Sequence, residues 1–359
     1  MRVHRVLAAA LLATAGMLAV APATSGADDF DVHPGESIQR AIKTAEPGAS
    51  VHVAPGTYRA NLNIKKPITL WAEGVTIVPK DVPRKSPCSQ TGDEGAVVTG
   101  ICIHGVLDAE GNVVTPVADV RLRGISVQGF SGDGVFALGT DHLDVDDATF
   151  ADNGGYGIFA FHSSQVHYAD TVSHGNGDAG FYVGESPGAD VRIHDNVAYD
   201  NRAEGLLFRD SIGGKIVDNE FYGNCVGIFL LDTGAPGSDG DVTVRDNKVH
   251  DNSAACPGEE DEGIPPLSGI GIGVLGAHDA RVDDNHIDAN TPGGPSGLPT
   301  GGIVVVDTSG FGGTTPMNNS FEDNDLSGND PDVFWDGTGT GNRFDGNDCS
   351  TSVPPGLCT

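Results

Sequence analysis

The chain has 359 residues, with 52 glycines, 6% aromatic residues, and 50 Asp and Glu against 20 Lys and Arg, for a formal charge of −30. That balance argues against nucleic acid as a partner, because phosphate binding draws on Lys and Arg, and it opposes a polyanionic glycan unless a basic patch or bound cations intervene. High glycine content without sustained helical periodicity excludes a helix bundle or an alternating α/β fold.

At the start, Arg2 and Arg5 precede an apolar run over 6–20 and then the small residues Ala21-Pro22-Ala23 and Ser25-Gly26-Ala27. That order predicts a secretory signal peptide over 1–27. The apolar run is too short for a membrane span and no later segment approaches ~20 apolar residues. The expectation is therefore an exported, extracellular monomer that does not insert in membranes, with residues 28–359 as one domain. Ser37 to Ala45 places Ile38, Ala41, Ile42 and Ala45 on one face, which predicts a short amphipathic helix within 35–46 that caps the first strand edge. Val51 to Tyr58 reads as a strand and turn, and an insertion is expected over about 79–116.

Between 118 and 308 one phrase repeats, opened by Gly134, Gly157, Gly180, Gly205, Gly227, Gly271 and Gly302, with first spacings of 23, 23, 25 and 22. A unit of this length holds about three short strands and cannot bury its apolar side chains alone, so the units stack into a β-solenoid. Asparagine pairs five residues apart, Asn196/Asn201, Asn219/Asn224, Asn247/Asn252, Asn285/Asn290, Asn319/Asn324 and Asn342/Asn347, predict amide ladders between coils. Ala198, Phe221, Val249, Ile287, Phe321 and Phe344 then stack inside. The 44-residue gap from Gly227 to Gly271 predicts a loop over 253–268. Six cysteines in an exported chain imply disulfides whose connectivity composition leaves open; the neighbouring pairs Cys88–Cys102, Cys225–Cys256 and Cys349–Cys358 are the expectation. Residues 336–346 and the last pair are expected to tie down the final coil.

Stacked coils turn equal offsets from the repeat glycine into spatial columns, ~4.8 Å apart. Offset two carries Phe136, Phe159, Tyr182 and Phe229, an outward aromatic row that could stack on sugar rings or lie packed under a loop. Offset five carries His162, Glu185, Asp210 and Asp232, with Arg209 beside Asp210. Neighbouring carboxylates there could form an acid/base pair for glycosidic chemistry. Alternatively, Glu185, Asp210 and Asp232 could hold Ca²⁺, leaving His162 or Arg209 as base, or the column could be turn positions that favour Asp.

The Ile-Gln-Arg-Ala-Ile, Pro-Gly-Thr-Tyr and Pro67-Ile68-Thr69-Leu70 strings between Ser37 and Val78 resemble the opening of pectate-lyase-like and NosD-like proteins, and the later Gly-Ile and Asn-Asn repeats resemble their coils. Secreted actinobacterial β-helix proteins are similar along nearly the whole mature chain. The resemblance implies an all-β fold, a single-stranded right-handed parallel β-helix with a short N-terminal capping helix. It also implies extracellular polysaccharide as ligand, with lyase, epimerase or glycosidase activity if the protein is an enzyme. It leaves open a non-catalytic envelope glycan binder or adhesion module, and a NosD-like metal-related accessory role for which the chain lacks a Cys/His/Met cluster. The Asp-Pro-His signature of alginate epimerases is missing; the nearest string is Asp31-Val32-His33-Pro34.

Overall fold

Aspartates in left-handed backbone turn the chain at its corners. Asp147, Asp170, Asp195, Asp218, Asp246 and Asp284 have φ between 47 and 58° at one corner, and Asp152, Asp200 and Asp251 repeat the device at the next. Asp tolerates this region because its short side chain bonds locally, so part of the acidity is turn chemistry. The computed structural model describes residues 29–358 apart from 81–85, 90, 93, 94, 187, 189, 236–238 and 259–263; the expected signal peptide lies outside the described residues.

Between corners run short strands that pair in parallel with the coil before and after. Two long strands, Ile68–Val78 and Val117–Gln128, continue around one corner; later coils split there, as in Thr140–Asp146 followed by Thr149–Ala151. Among the described residues these strands form one 20-stranded sheet, here sheet A. An 11-stranded sheet B, including Val135–Leu138, Ile158–Phe161, Phe181–Gly184, Glu204–Arg209 and Val226–Leu231, closes the remaining side. The result is a right-handed parallel β-helix.

Its inside is apolar and continuous, with Ile158, Phe181, Leu206, Ile228, Ile272 and Ile303 stacked from coil to coil without solvent exposure. Asparagine amides line the corners. One ladder runs Asn196, Asn219, Asn247, Asn285, Asn324, Asn347, each Nδ2 donating to the next Oδ1 at 2.8–3.0 Å. A second runs Asn153, Asn176, Asn201, Asn224, Asn252, Asn290, Asn329. Each amide also takes up a backbone carbonyl, so polar groups turned inward keep their partners.

The ladders depart from the expected pairing in the last coils. Asn285 meets Asn324 and Asn290 meets Asn329, whereas Asn319 pairs with Asn342 in a column of its own. Phe321 accordingly stacks on Val282, and Leu326 on Ile287. Five-residue spacing recurs at successive corners of one coil, so spacing alone does not say which corner a pair occupies.

The short helix α1, Ile38–Thr44, buries Ile38 and Ile42 at the open end, and Ser37 caps it by accepting from the Arg40 backbone N–H. The three disulfides join the expected neighbours. The segment about 79–116 is not one insertion: Ile101–His104 is a strand of sheet B, paired with Leu62–Ile64 and Val135–Leu138, because Ile101 and Ile103 fill the core. A hairpin, Val106–Leu107 with Val113–Thr115, follows it. The loop over 253–268 leaves the stack between Lys248–His250 and Ile270–Leu275. Its described residues pack on 291–300, with Gly297 N–H donating to the Pro266 carbonyl and Gly293 N–H to Ser268 Oγ. Among the described residues, no helix is long and apolar enough to cross a membrane.

Candidate functional site

Strand alternation sets the outer face of sheet B. Ile158, Ala160, Phe181, Val183, Ile228 and Leu230 point into the core, so Phe136, Phe159, Tyr182, Leu207 and Phe229 point out. Phe159 lies on Tyr182 with centroids 4.2 Å apart and planes 10° from parallel, and on Phe136 at 4.7 Å. Tyr156 closes the group, 4.8 Å from Phe159 and 5.1 Å from Tyr182. Phe136 and Phe159 are half-buried. Tyr182 and Phe229 are only 2% and 4% exposed, within a second apolar cluster that includes Leu267 from the 253–268 loop and Leu298 from the neighbouring one. The expected row is thus divided: its first two rings are half-buried, whereas Tyr182, stacked on Phe159 and Tyr156, and Phe229 are buried in the cluster that also holds Leu267 and Leu298.

At the C-terminal edge, the offset-five residues do stand in register. The Glu185 N–H donates to the Arg209 carbonyl, the Asp210 N–H to Leu231 and the Asp232 N–H to Leu275. Their surroundings differ sharply. His162 is exposed, its Nε2 3.7 Å from a partly exposed Glu185 carboxylate. Asp210 has no exposure; it accepts from the Thr233 N–H at 2.7 Å, the Thr233 hydroxyl at 2.6 Å and Arg209 Nε at 3.0 Å. Asp232, equally buried, accepts from the Gly234 N–H at 2.7 Å and the Thr314 hydroxyl at 2.8 Å. Calcium takes six to eight oxygens, whereas these oxygens already receive N–H and O–H donors. Among the described residues no group of three or more His, Cys, Asp or Glu could hold a metal ion. The residues present therefore do not fit the considered Ca²⁺ site, and Arg209 is engaged in binding Asp210 and Thr233. Asp239, wholly buried near both aspartates, is held well above the usual carboxylate range, by burial first and then by their charges.

The opposite edge holds a column that offsets two and five do not reveal. Asp133, Tyr156, Ala179 and Glu204 each precede a repeat glycine, and Asp178 lies one residue before Ala179. Asp133 Oδ1 accepts from the Tyr156 backbone N–H at 2.9 Å. Burial, reinforced by the charge of Asp178 and resisted by that hydrogen bond, pushes the Asp133 carboxyl up to about 7. Glu204 is 6% exposed. Its carboxyl is pushed up to about 8, again by burial and then Asp178. The Tyr156 phenol is raised by burial and by the Asp178 and Glu204 charges, with Asp178 as a hydrogen-bond partner. Carboxyls that titrate near neutrality beside a phenol and an aromatic floor have the properties of acid/base groups. The signal was available at offset minus one, where acidic and phenolic side chains stand in coils that later place Val226 and Ile270.

A second concavity, an open groove of about 670 Å³ on sheet A, is lined by Asp241, Asp279, Arg281, Asp283, Glu322 and Arg343 among others. Its charges are mixed and it has no aromatic floor.

Residues 90–238 and 133–325, together more than half of the chain, match the family model of the right-handed β-helix region. The chain belongs to the right-handed β-helix family. No curated protein matches it in sequence. Among solved structures, it is similar to a family 28 exopolygalacturonase from Yersinia enterocolitica, with 14% identity and a TM-score of 0.57 over 88% of this chain and 76% of that one. It is also similar to the A-module of a mannuronan C-5 epimerase from Azotobacter vinelandii, with 18% identity and a TM-score of 0.50 over 91% and 83%. A periplasmic alginate epimerase matches at 15% identity and a TM-score of 0.50 over 88% and 83%. At these identities the likeness is one of fold.

Proposed function

We propose that this β-helix protein acts on a polysaccharide along the outer face of sheet B, cleaving glycosidic bonds with Glu204 as the acid. The observation that carries the reading is a column at one edge of a half-exposed aromatic floor: Asp133 accepts from the Tyr156 N–H, Tyr156 packs on Phe159, Glu204 is buried two coils further on, and burial pushes the Asp133 and Glu204 carboxyls up to about 7 and about 8. Solved structures of similar fold with glycan-named activities agree with it: an exopolygalacturonase and two epimerases. Three disulfides suit an oxidising, extracellular location, which the sequence of residues 1–27 would supply as an export signal.

In this reading the sugar rings stack on Phe136 and Phe159. At pH 7 Glu204 carries its proton and delivers it to the glycosidic oxygen as the bond to the anomeric carbon breaks. Asp178 takes a proton from the water that adds to that carbon, which balances the hydrolysis. Glu185 and His162, at the far edge of the same face, meet the neighbouring sugar. Asp210 and Asp232 hold the turns beneath, through Thr233 and Thr314.

A glycan panel read for new reducing ends and for unsaturated-uronate absorbance tests the reading. Reducing ends without that absorbance are expected, with turnover falling by about 10²–10⁴-fold in Glu204→Gln and retention weakening roughly 2–10-fold in Phe159→Ala. Unsaturated products would assign an eliminative reaction instead. Retention without turnover would make this face a binding module.

A further inference from the structure

We propose a second carbohydrate site on sheet A, near the N-terminal end of the solenoid, where the Trp71 indole carries a neutral sugar ring and the Glu73 carboxylate accepts its hydroxyls. It is separate from the sheet B face and does not depend on the chemistry proposed there.

Alternation along Ala49–Val53 and Ile68–Val78 buries Ala49, Val51, Leu70 and Ala72, so His52, Trp71 and Glu73 point outward. His52 and Trp71 are partners in the parallel register. Their ring planes are 4° apart with centroids at 6.2 Å, an offset pair that leaves Trp71 46% exposed. With Val53, Pro55 and Glu73 they line an open concavity of about 440 Å³. Gly74, with a φ of 69°, turns the chain directly after Glu73, and Pro55 closes that corner: a Cβ at Gly74 would lie 3.2 Å from the proline side chain.

A single exposed apolar side chain is ordinary on a protein surface. Trp71 is set apart by its surroundings. Among the described residues neither its indole N–H nor the Glu73 carboxylate has a hydrogen-bond partner. Trp335, the other tryptophan, instead packs on Phe344 and donates to the Thr338 carbonyl at 2.9 Å. A broad apolar face with one free donor and one free acceptor, set in a concavity, matches a pyranose, which presents a C–H face and a rim of hydroxyls. Charge selects a neutral sugar. Among the described residues no Lys or Arg lines the concavity. Arg121 and Arg123, on the next coil, are directed to Asp144 and Asp146, while Asp29 and Asp31 flank His52. A ligand carboxylate would therefore meet Glu73 with no cation to offset it.

Trp335→Phe leaves Trp71 as the sole tryptophan, so its fluorescence reports this site in the full chain. Cello-, xylo- and N-acetylated chito-oligosaccharides are the neutral probes, and an oligogalacturonate is the anionic one. At least one neutral oligomer is expected to shift the Trp71 emission saturably, with the uronate about tenfold weaker or more. Calorimetry in the Phe159→Ala background, which removes the sheet B floor, is expected to show about tenfold weaker binding in Trp71→Ala, recovery in Trp71→Tyr and a loss of about two- to fivefold in Glu73→Gln. Release of reducing ends from a short oligomer is expected to be unchanged in Trp71→Ala. No saturable response to any neutral oligomer, or equal binding of the uronate, overturns the inference. So does a dimer in sedimentation that Trp71→Ala converts to a monomer, which would assign the indole to a contact between copies. The sheet B proposal fails on a different result, the absence of reducing ends from the wild type, to which the Trp71 emission is indifferent.

Discussion

Replacing Glu204 by Gln is expected to flatten the pH dependence of folding stability. Burial and Asp178 hold this carboxyl at about 8 in the folded chain, against a reference value of 4.5. Between those values the folded chain retains a proton that the unfolded chain has released. Stability from this group is therefore intact below pH 4.5, declines as pH rises, and is at its lowest above pH 8. At 1.36 kcal/mol per unit of pKa, the whole swing is about 5 kcal/mol. This is an upper figure, because water reaching the 6% of the residue that remains exposed reduces it. Asp133 and Asp239 titrate in the same direction, but they are present in both proteins and drop out of the difference. Urea unfolding of the wild type and Glu204→Gln at intervals from pH 5 to 9 measures it. The variant should gain on the wild type steadily up to pH 8 and hold the gain above it. Two stability curves running parallel across that range would show that Glu204 ionises normally, and the proposed acid would go with it.

Asn224→Ala is expected to lower stability by about 3–5 kcal/mol. It strips the partner from the Asn201 amide and removes bonds to Ala198, Tyr222 and Asn252, leaving buried polar groups unpaired; a shift in the denaturation midpoint below 1 kcal/mol would mean that the ladder relaxes around the gap. Asp210→Ala is expected to destabilise by about 2–3 kcal/mol, through loss of the Thr233 and Arg209 contacts. Its glycan turnover, measured on the folded fraction, should remain within a few-fold of wild type, and a collapse like that of Glu204→Gln would restore Asp210 to the chemistry. Replacing both Cys225 and Cys256 by Ser opens a loop with a sequence separation of 31, for a loss of about 3–4 kcal/mol by chain entropy. Faster proteolysis within 253–268 is expected to accompany it, since the bridge anchors the loop's base beside the apolar cluster that holds Cys256, Leu267 and Phe229.

The coils were legible because a solenoid repeats its constraints. The corners of sheet A ask for a residue that tolerates left-handed backbone and an amide that bonds above and below, so Asp-Asn recurs at a readable spacing, whereas the corner after sheet B uses left-handed His162, Glu185 and Asp210 followed by a serine ladder. The disulfide partners followed from proximity along the chain, since each pair closes a local excursion. The strand Ile101–His104 was hidden inside an apparent insertion, because the short run Ile101-Cys102-Ile103-His104 carries no periodic signal and lies outside the glycine and asparagine repeat. Asn319 was assigned to the wrong corner for the converse reason: its spacing was correct but common to several corners.

The site was legible only in part. Offset five did form a column, yet two of its acids proved to be sealed beneath Thr233 and Thr314, and sequence separation gives no hint that residue 314 reaches residue 232. The half-exposed part of the aromatic row could not be told from the buried part until Tyr156 was placed against Tyr182, and Leu267 and Leu298 in the same apolar cluster as Phe229. Asp133, Tyr156 and Glu204 were countable from the repeat glycines, but what sets them apart is desolvation, which depends on what surrounds a side chain and not on its offset. Sequence by itself determined the coil, its corners and its inward face, because these are nearest-neighbour demands repeated unit by unit. Tertiary structure decided which carboxyls are buried, which are paired and which stay open to solvent, because loops far apart in the chain set the dielectric and hydrogen-bond surroundings of each one.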